Sequence, residues 1–180
     1  MKNIIFIAPP VAGKGTQAKI LCQKYGFRHI STGDLLRKAA GQNLDIRNQL
    51  NSGKFVEDSI IFELINKEID SLSANDWYIL DGFPRNIHQA QVFDSKPSYI
   101  VIYIDISKEI ALKRVLGRLY CPNCGASYNA LLLDNQSKVA NVCDICHSNL
   151  IKRDDDMLSA FEIRFDAYLN HTEPLLDYYR

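Results

Sequence analysis

The sequence predicts an α/β protein built on a doubly wound parallel sheet with helices on both faces. Three observations carry that expectation. Residues 4–17, IIFIAPPVAGKGTQ, read as a buried β-branched strand that runs into a glycine turn and then a helix. Short apolar runs alternate with segments of helical period along the chain, the order that builds parallel sheets. Three strand ends deliver Gly13-Lys14, Asp81 and Asp105, and ligands in such sheets gather beyond the carboxyl ends of the strands.

The turn after the first strand is the clearest motif. Gly13-Lys14-Gly15-Thr16 points backbone N–H groups inward, the following helix adds its positive end, and Lys14 supplies a full charge on a long stem. This is a cradle for polyphosphate, a P-loop. It departs from the Walker pattern at Ala8, where glycine is usual, and at Gly15, where Ser or Thr is usual. Lys2 ahead of an apolar run resembles an export leader. The run is short, is broken by Pro9 and Pro10, and leads into GKGT instead of a small-residue cleavage site, so no leader is expected.

The remaining elements follow in order. Residues 16–25 form a helix stopped by Gly26, and 27–30 a short strand. Ser31 or Thr32 caps a helix over 33–40 that stops at Gly41, and a smaller helix over 45–50 ends at Asn51-Ser52-Gly53. Ile61, Leu64, Ile65, Ile69 and Leu72 recur at helical spacing behind Asp58 as cap. A buried strand at 77–80 delivers Asp81-Gly82-Phe83-Pro84-Arg85, and another at 99–104 delivers Asp105. Ser107 caps a helix that runs to Leu116 and breaks at Gly117. A last helix over 156–169 carries Phe161, Phe165, Tyr168 and Leu169 on one face.

A chain of 180 residues suits one domain with room for a small insert. The formal net charge is zero, so no global field favours nucleic acid or an acidic membrane. No apolar run approaches the ~20 residues of a membrane span. A soluble, cytoplasmic protein is expected, with a monomer as the default.

Four of the five cysteines fall as Cys121-x-x-Cys124 and Cys143-x-x-Cys146, eighteen residues apart. Two such knuckles present four thiolates to one tetrahedral ion, which is a zinc signature; disulfides fit poorly with a chain that shows no export signal. Cys22 lies in a helical pattern and reads as a small apolar residue. Asp81 stands where a Walker-B acid holds magnesium, directly or through water. The cysteine segment carries few basic residues, Lys138 and Lys152, which argues against a nucleic-acid-binding ribbon.

Together these motifs resemble the adenylate kinase family in its bacterial form with a zinc-bearing lid. The resemblance runs through GKGTQA at 13–18, STGDLLR at 31–37, SGKFV at 52–56, DGFPR at 81–85, RVLGR at 114–118, the four cysteines and RDDD at 153–156. It implies reversible phosphoryl transfer from Mg-ATP to AMP, giving two ADP. The implied organisation is a core of 1–30, 61–118 and 153–180, a helical NMP-binding segment at 31–60 and a zinc-binding lid at 119–152. The alternatives are a CMP or UMP kinase, which Asn86 favours, or a catalytically impaired nucleotide-binding protein on the same scaffold.

Phosphoryl transfer needs positioning and cations more than covalent chemistry, and six arginines fall in or beside these motifs. The resemblance implies Lys14, Arg85, Arg114, Arg118, Arg153 and Arg164 as catalytic. ATP is expected on Val11, Ala12, Gly13, Lys14, Gly15, Thr16, Arg118, Ser127 and Tyr128. AMP is expected on Thr32, Arg37, Lys54, Phe55, Val56, Gly82, Phe83, Pro84, Arg85, Gln89, Arg153 and Arg164. Arg114 and Arg118 are expected on one helical face, and Asp154, Asp155 and Asp156 read as helix-start charges.

Three departures from the family pattern matter. Ala8 and Val11 replace loop glycines, so either Val11 keeps an ordinary backbone conformation or ATP binding weakens. The segment from Thr32 to Lys54 is trimmed. The family continues past the position of Arg180 into one more strand and helix, and over the residues present the strand at 99–104 is expected to stand as an apolar edge.

Overall fold

The computed structural model describes residues 2–54, 56–94 and 99–180. In chain order the principal elements are β1 (Asn3–Ile7), α1 (Lys14–Tyr25), β2 (Arg28–Ser31), α2 (Thr32–Ala40), α3 (Leu44–Ser52), α4 (Asp58–Asp70), β3 (Tyr78–Asp81), α5 (Ile87–Phe93) and β4 (Tyr99–Tyr103). They continue as α6 (Lys108–Gly117), β5 (Arg118–Tyr120), β6 (Ser127–Asn129), α7 (Leu158–Ala167) and α8 (Leu175–Tyr178). A wider helical turn, Tyr168–Thr172, joins the last two.

Four strands form one parallel sheet in the order β2-β3-β1-β4. Register sets Phe6 beside Asp81, and Asp81 beside Ser31, so their carboxyl ends lie along one edge. Alternate residues of β1 feed opposite faces. Ile5 and Ile7 join Ile30, Leu80, Phe83 and Phe93 under α2, α4 and α5. Ile4 and Phe6 pack with Ile79, Ala18 and Phe27 under α1. The parallel, doubly covered sheet expected from the sequence is present. β4 is the other edge, with Ile100 and Tyr103 exposed there.

Several predicted boundaries move for identifiable reasons. Ser31 is the cap of α2, accepting the Asp34 N–H on its hydroxyl. Asp58 does not cap α4: Glu57 holds that position, and Asp58 is the first helical residue, its carboxylate turned to α5. Helix α5 has too short a periodic run to read from sequence, but Asn86 caps it by accepting the Gln89 N–H. The last long helix begins at Leu158, not 156.

Residues after α6 build a small unit of their own. β5 and β6 pair antiparallel, and Cys121, Tyr128, Cys143 and Leu150 form its buried hydrophobic cluster. Gly117, predicted to break α6, is its last residue. A Cβ there would meet Asn129 Oδ1 at 2.1 Å, and Asn129 donates to the Arg114 carbonyl, so the small unit is joined tightly at its base.

Candidate active site

Leaving β1, the chain crosses a loop that closes on Gly13, whose φ of 100° suits glycine, and α1 starts at Lys14. Lys14 Nζ folds back to donate to the Ala8 and Pro9 carbonyls, each at 3.1 Å. Burial lowers its pKa to about 8, with Asp81 pulling the other way. Val11 does not keep an ordinary conformation: its φ is 62°. A β-branched residue there costs about 1–2 kcal/mol. Arg114 supports the strained loop from behind, its Nη1 donating to the Ala12 carbonyl at 2.9 Å.

Asp81 ends β3 at the same edge. His29, on neighbouring β2, places Nε2 3.1 Å from Asp81 Oδ2. Beyond it, Gly82 has φ 84°, and a Cβ would meet Arg85 Nη2 at 2.9 Å. The space left lets Arg85 Nε reach the Gly82 carbonyl at 2.8 Å. The Arg85 backbone is held on both sides. Its N–H donates to Gln89 Oε1 at 2.7 Å, and its carbonyl accepts from Thr172 Oγ1 at 2.8 Å.

The third wall is arginine and aspartate. Arg118 is not on the helical face of Arg114; it opens β5, and both its Nε and Nη2 engage Asp156. Asp155 accepts from Arg164 Nη2 at 2.8 Å and lies 3.8 Å from Arg37 Nη1. Asp155 and Asp156 are therefore arginine partners, and α7 starts beyond them, at Leu158. Arg153 stacks on Tyr120, 5.3 Å from its ring centre. Burial lowers the Arg153 pKa, and so do the neighbouring Arg37 and Arg118. Cations crowded enough to weaken one another are what an anion site requires.

These walls enclose a cleft of about 760 Å³, within the ~300–1,000 Å³ usual for small-molecule sites. Val11, Ala12, Gly13, Lys14, Gly15 and Thr16 line it, as do Asp81, Gly82, Pro84 and Arg85. Arg37, Lys54, Arg118, Arg153, Arg164 and Ser127 complete the predicted residues on its walls. Thr32, Val56, Phe83 and Gln89 are buried behind the surface. Tyr128 is turned into the small unit, its hydroxyl accepting the Asp144 N–H at 2.9 Å. Phe55 lies outside the described residues. Asp105 was expected to converge with Lys14 and Asp81, but instead accepts from the Tyr103 hydroxyl at 3.0 Å. His29, Lys19 and Thr172 line the cleft without having been singled out. Their signal lies in strand register and a non-local contact, which no local motif announces.

Over the cleft, the sulfurs of Cys121, Cys124, Cys143 and Cys146 all lie within 4.8 Å of one another. Tetrahedral Zn–S bonds of about 2.3 Å put sulfurs roughly 3.8 Å apart, so the four fit one ion. Contacts with the Ser148 hydroxyl and backbone hold the Cys146 pKa down to about 5, while, against a backbone hydrogen bond with Ala126, burial and the other three sulfurs push Cys124 up to about 12, so the four titrate together as one group.

A parallel α/β sheet with a phosphate cradle, a strand-end acid and a ring of arginines under a four-cysteine flap defines a nucleotide-binding protein equipped for phosphoryl transfer. The adenylate kinase family model matches residues 6–180. The adenylate kinase of Clostridium kluyveri is 37% identical over 188 aligned positions, covering 99% of this chain and 86% of the relative. That of Rickettsia rickettsii is 40% identical over 184 positions, covering 98% and 86%. That of Petrotoga mobilis is 38% identical, covering 99% and 85%. The chain belongs to the adenylate kinase family.

Proposed function

We propose that the chain transfers a phosphoryl group reversibly from Mg-ATP to AMP, giving two ADP. The observation that carries this is the single cleft in which Lys14, Arg37, Arg85, Arg118, Arg153 and Arg164 all face one space. Such an array stabilises charge on a transferring phosphoryl group without covalent chemistry.

In this reading the loop at 11–16 holds the ATP phosphates, with Lys14 turning from its carbonyls to the nucleotide. Arg37 and Arg85 take the AMP phosphate. Arg118, Arg153 and Arg164 surround the group in transfer, and Arg114 acts through the loop it braces. Asp81, steadied by His29, would hold magnesium through water, and the ion neutralises charge on the triphosphate when bound. The Thr32 hydroxyl is buried and unpartnered among the described residues. An orphaned hydroxyl costs about 1–3 kcal/mol, and base contact on the AMP side would relieve it.

Cys121, Cys124, Cys143 and Cys146 would hold zinc as a structural ion. The segment 119–152, without a large apolar core, then moves as one body and excludes water as a competing acceptor. The segment 31–60 serves AMP, and Ser127 flanks the ATP nucleoside. We take the enzyme to be a cytoplasmic monomer; among the described residues no helix is long and apolar enough to cross a membrane.

A coupled assay for ADP with AMP, CMP, UMP and GMP as acceptors tests the reading. AMP should be preferred by a wide margin. Preference for CMP or UMP, or equal near-zero rates with all four, would overturn it.

A further inference from the structure

Gln89 is 2% exposed, yet both ends of its amide are engaged. Its Oε1 accepts the Arg85 backbone N–H at 2.7 Å, and its Nε2 donates to Asp58 Oδ1 at 2.6 Å. A backbone N–H can only donate and a carboxylate can only accept, so these two partners impose one orientation on the amide. The bond to Asp58 is charge-assisted and so among the stronger kind. The Gln89 backbone is fixed as well, its N–H donating to Asn86 Oδ1 at 2.7 Å.

Asp58 opens α4, while Gln89 lies on α5 and Arg85 on the loop before it. The same carboxylate places Oδ2 3.0 Å from His88 Nδ1. One acid at the start of α4 thus holds the first turn of α5, and through Gln89 the backbone of the arginine that faces the cleft. On the far side Thr172 holds the Arg85 carbonyl. With both peptide groups pinned and its Nε on the Gly82 carbonyl, Arg85 has little freedom left. Misplacing such a group by ~1 Å costs a reaction of this kind about 100-fold.

We propose that Asp58 is a positioning residue for the acceptor half of the reaction: it fixes the Gln89 amide and thereby aims Arg85 at the monophosphate. This rests on the phosphoryl-transfer reading. The test compares Asp58→Asn, a near-isostere that offers Gln89 both a donor and an acceptor, with Asp58→Glu, which keeps acceptor-only ends. KM for AMP should rise on the order of tenfold in Asp58→Asn and return most of the way in Asp58→Glu, with KM for ATP unchanged. Combining Asp58→Ala with Gln89→Ala should cost little more than Gln89→Ala alone. Equal rises in both KM values, or additive effects, would overturn the assignment. Hydrogen exchange at the Arg85 amide separates the two readings, because it reports the positioning even in a preparation without turnover. It should quicken in Asp58→Asn, and unchanged protection there would sink the positioning role independently of catalysis.

Discussion

Asp155 holds Arg164 through its carboxylate at 2.8 Å and through its backbone carbonyl, so one guanidinium bridges two acceptors of one residue. The same carboxylate lies 3.8 Å from Arg37, linking the arginine proposed for the AMP phosphate to one proposed for the transferring group. Both cations are aimed before substrate arrives, which spares reorganisation during the reaction.

Removing Arg164 should therefore cost more than removing its anchor. Arg164→Ala is expected to lower kcat by ~10³–10⁵ if it acts as an arginine finger does. Asp155→Asn, which leaves the cation but loosens its aim, should cost on the order of 100-fold. Steady-state kinetics of both variants check the ranking, and the reverse order would contradict it.

Val11 tests the phosphate loop. Relief of positive-φ strain in Val11→Gly, about 1–2 kcal/mol, is offset by glycine's entropy cost, about 0.5–1 kcal/mol, and by lost packing of a half-buried valine. Urea unfolding should thus show stability within ~1 kcal/mol of the parent, while KM for ATP falls. A rise in KM would mean that the strained valine shapes the loop for its ligand.

Gly53 tests how the 31–60 segment is seated. Its φ is 74°, and a Cβ would lie 2.6 Å from the Ala160 carbonyl on α7. Gly53→Ala should destabilise by about 2–3 kcal/mol, combining backbone strain with a forced separation of α3 from α7. A change under ~0.5 kcal/mol in thermal or urea unfolding would contradict the close packing.

Lys14 should make nucleotide binding pH-dependent. Its pKa in the folded chain is about 8, against an ordinary 10.5. Between those values the unfolded chain holds the proton and the folded chain does not, so stability from this group rises with pH across that window. Nucleotide phosphate favours the charged form, so above about pH 8 binding should weaken and take up protons. Calorimetry of ATP binding in buffers of different ionisation enthalpy measures the uptake, and none at pH ~8.5 would contradict the assignment.

Chelation tests the flap. Stripping metal from the four cysteines should raise hydrogen exchange throughout 119–152 and weaken ATP, while AMP affinity survives. Loss of AMP affinity in the metal-free protein would show that the zinc supports more than the flap.

Much of this was legible in the chain. β1 and the GKGT turn read directly because an unbroken β-branched apolar run and glycine placement are local properties. The cysteine knuckles read because ligand spacing is local too. What escaped depends on where distant residues meet. Arg118 left the helical face of Arg114 because α6 ends at Gly117, squeezed against Asn129. Asp155 and Asp156 resembled helix-start charges until the fold set them against Arg164 and Arg118. Helix α5 is seven residues long, too short for its periodicity to register, and it owes its start to Asn86. Tyr128 sits beside a cleft-facing Ser127, yet strand alternation sends it inward.

One lysine and a ring of arginines are proposed to serve two nucleotides in a single cleft. Binding of a bisubstrate compound, two adenosines joined through five phosphates, tests it most directly by titration calorimetry and competition. One molecule should bind per chain, competitive with both ATP and AMP, and weakened by loss of Lys14, Arg85 or Arg164 alike. Two molecules per chain, or competition with only one of the two nucleotides, would contradict it.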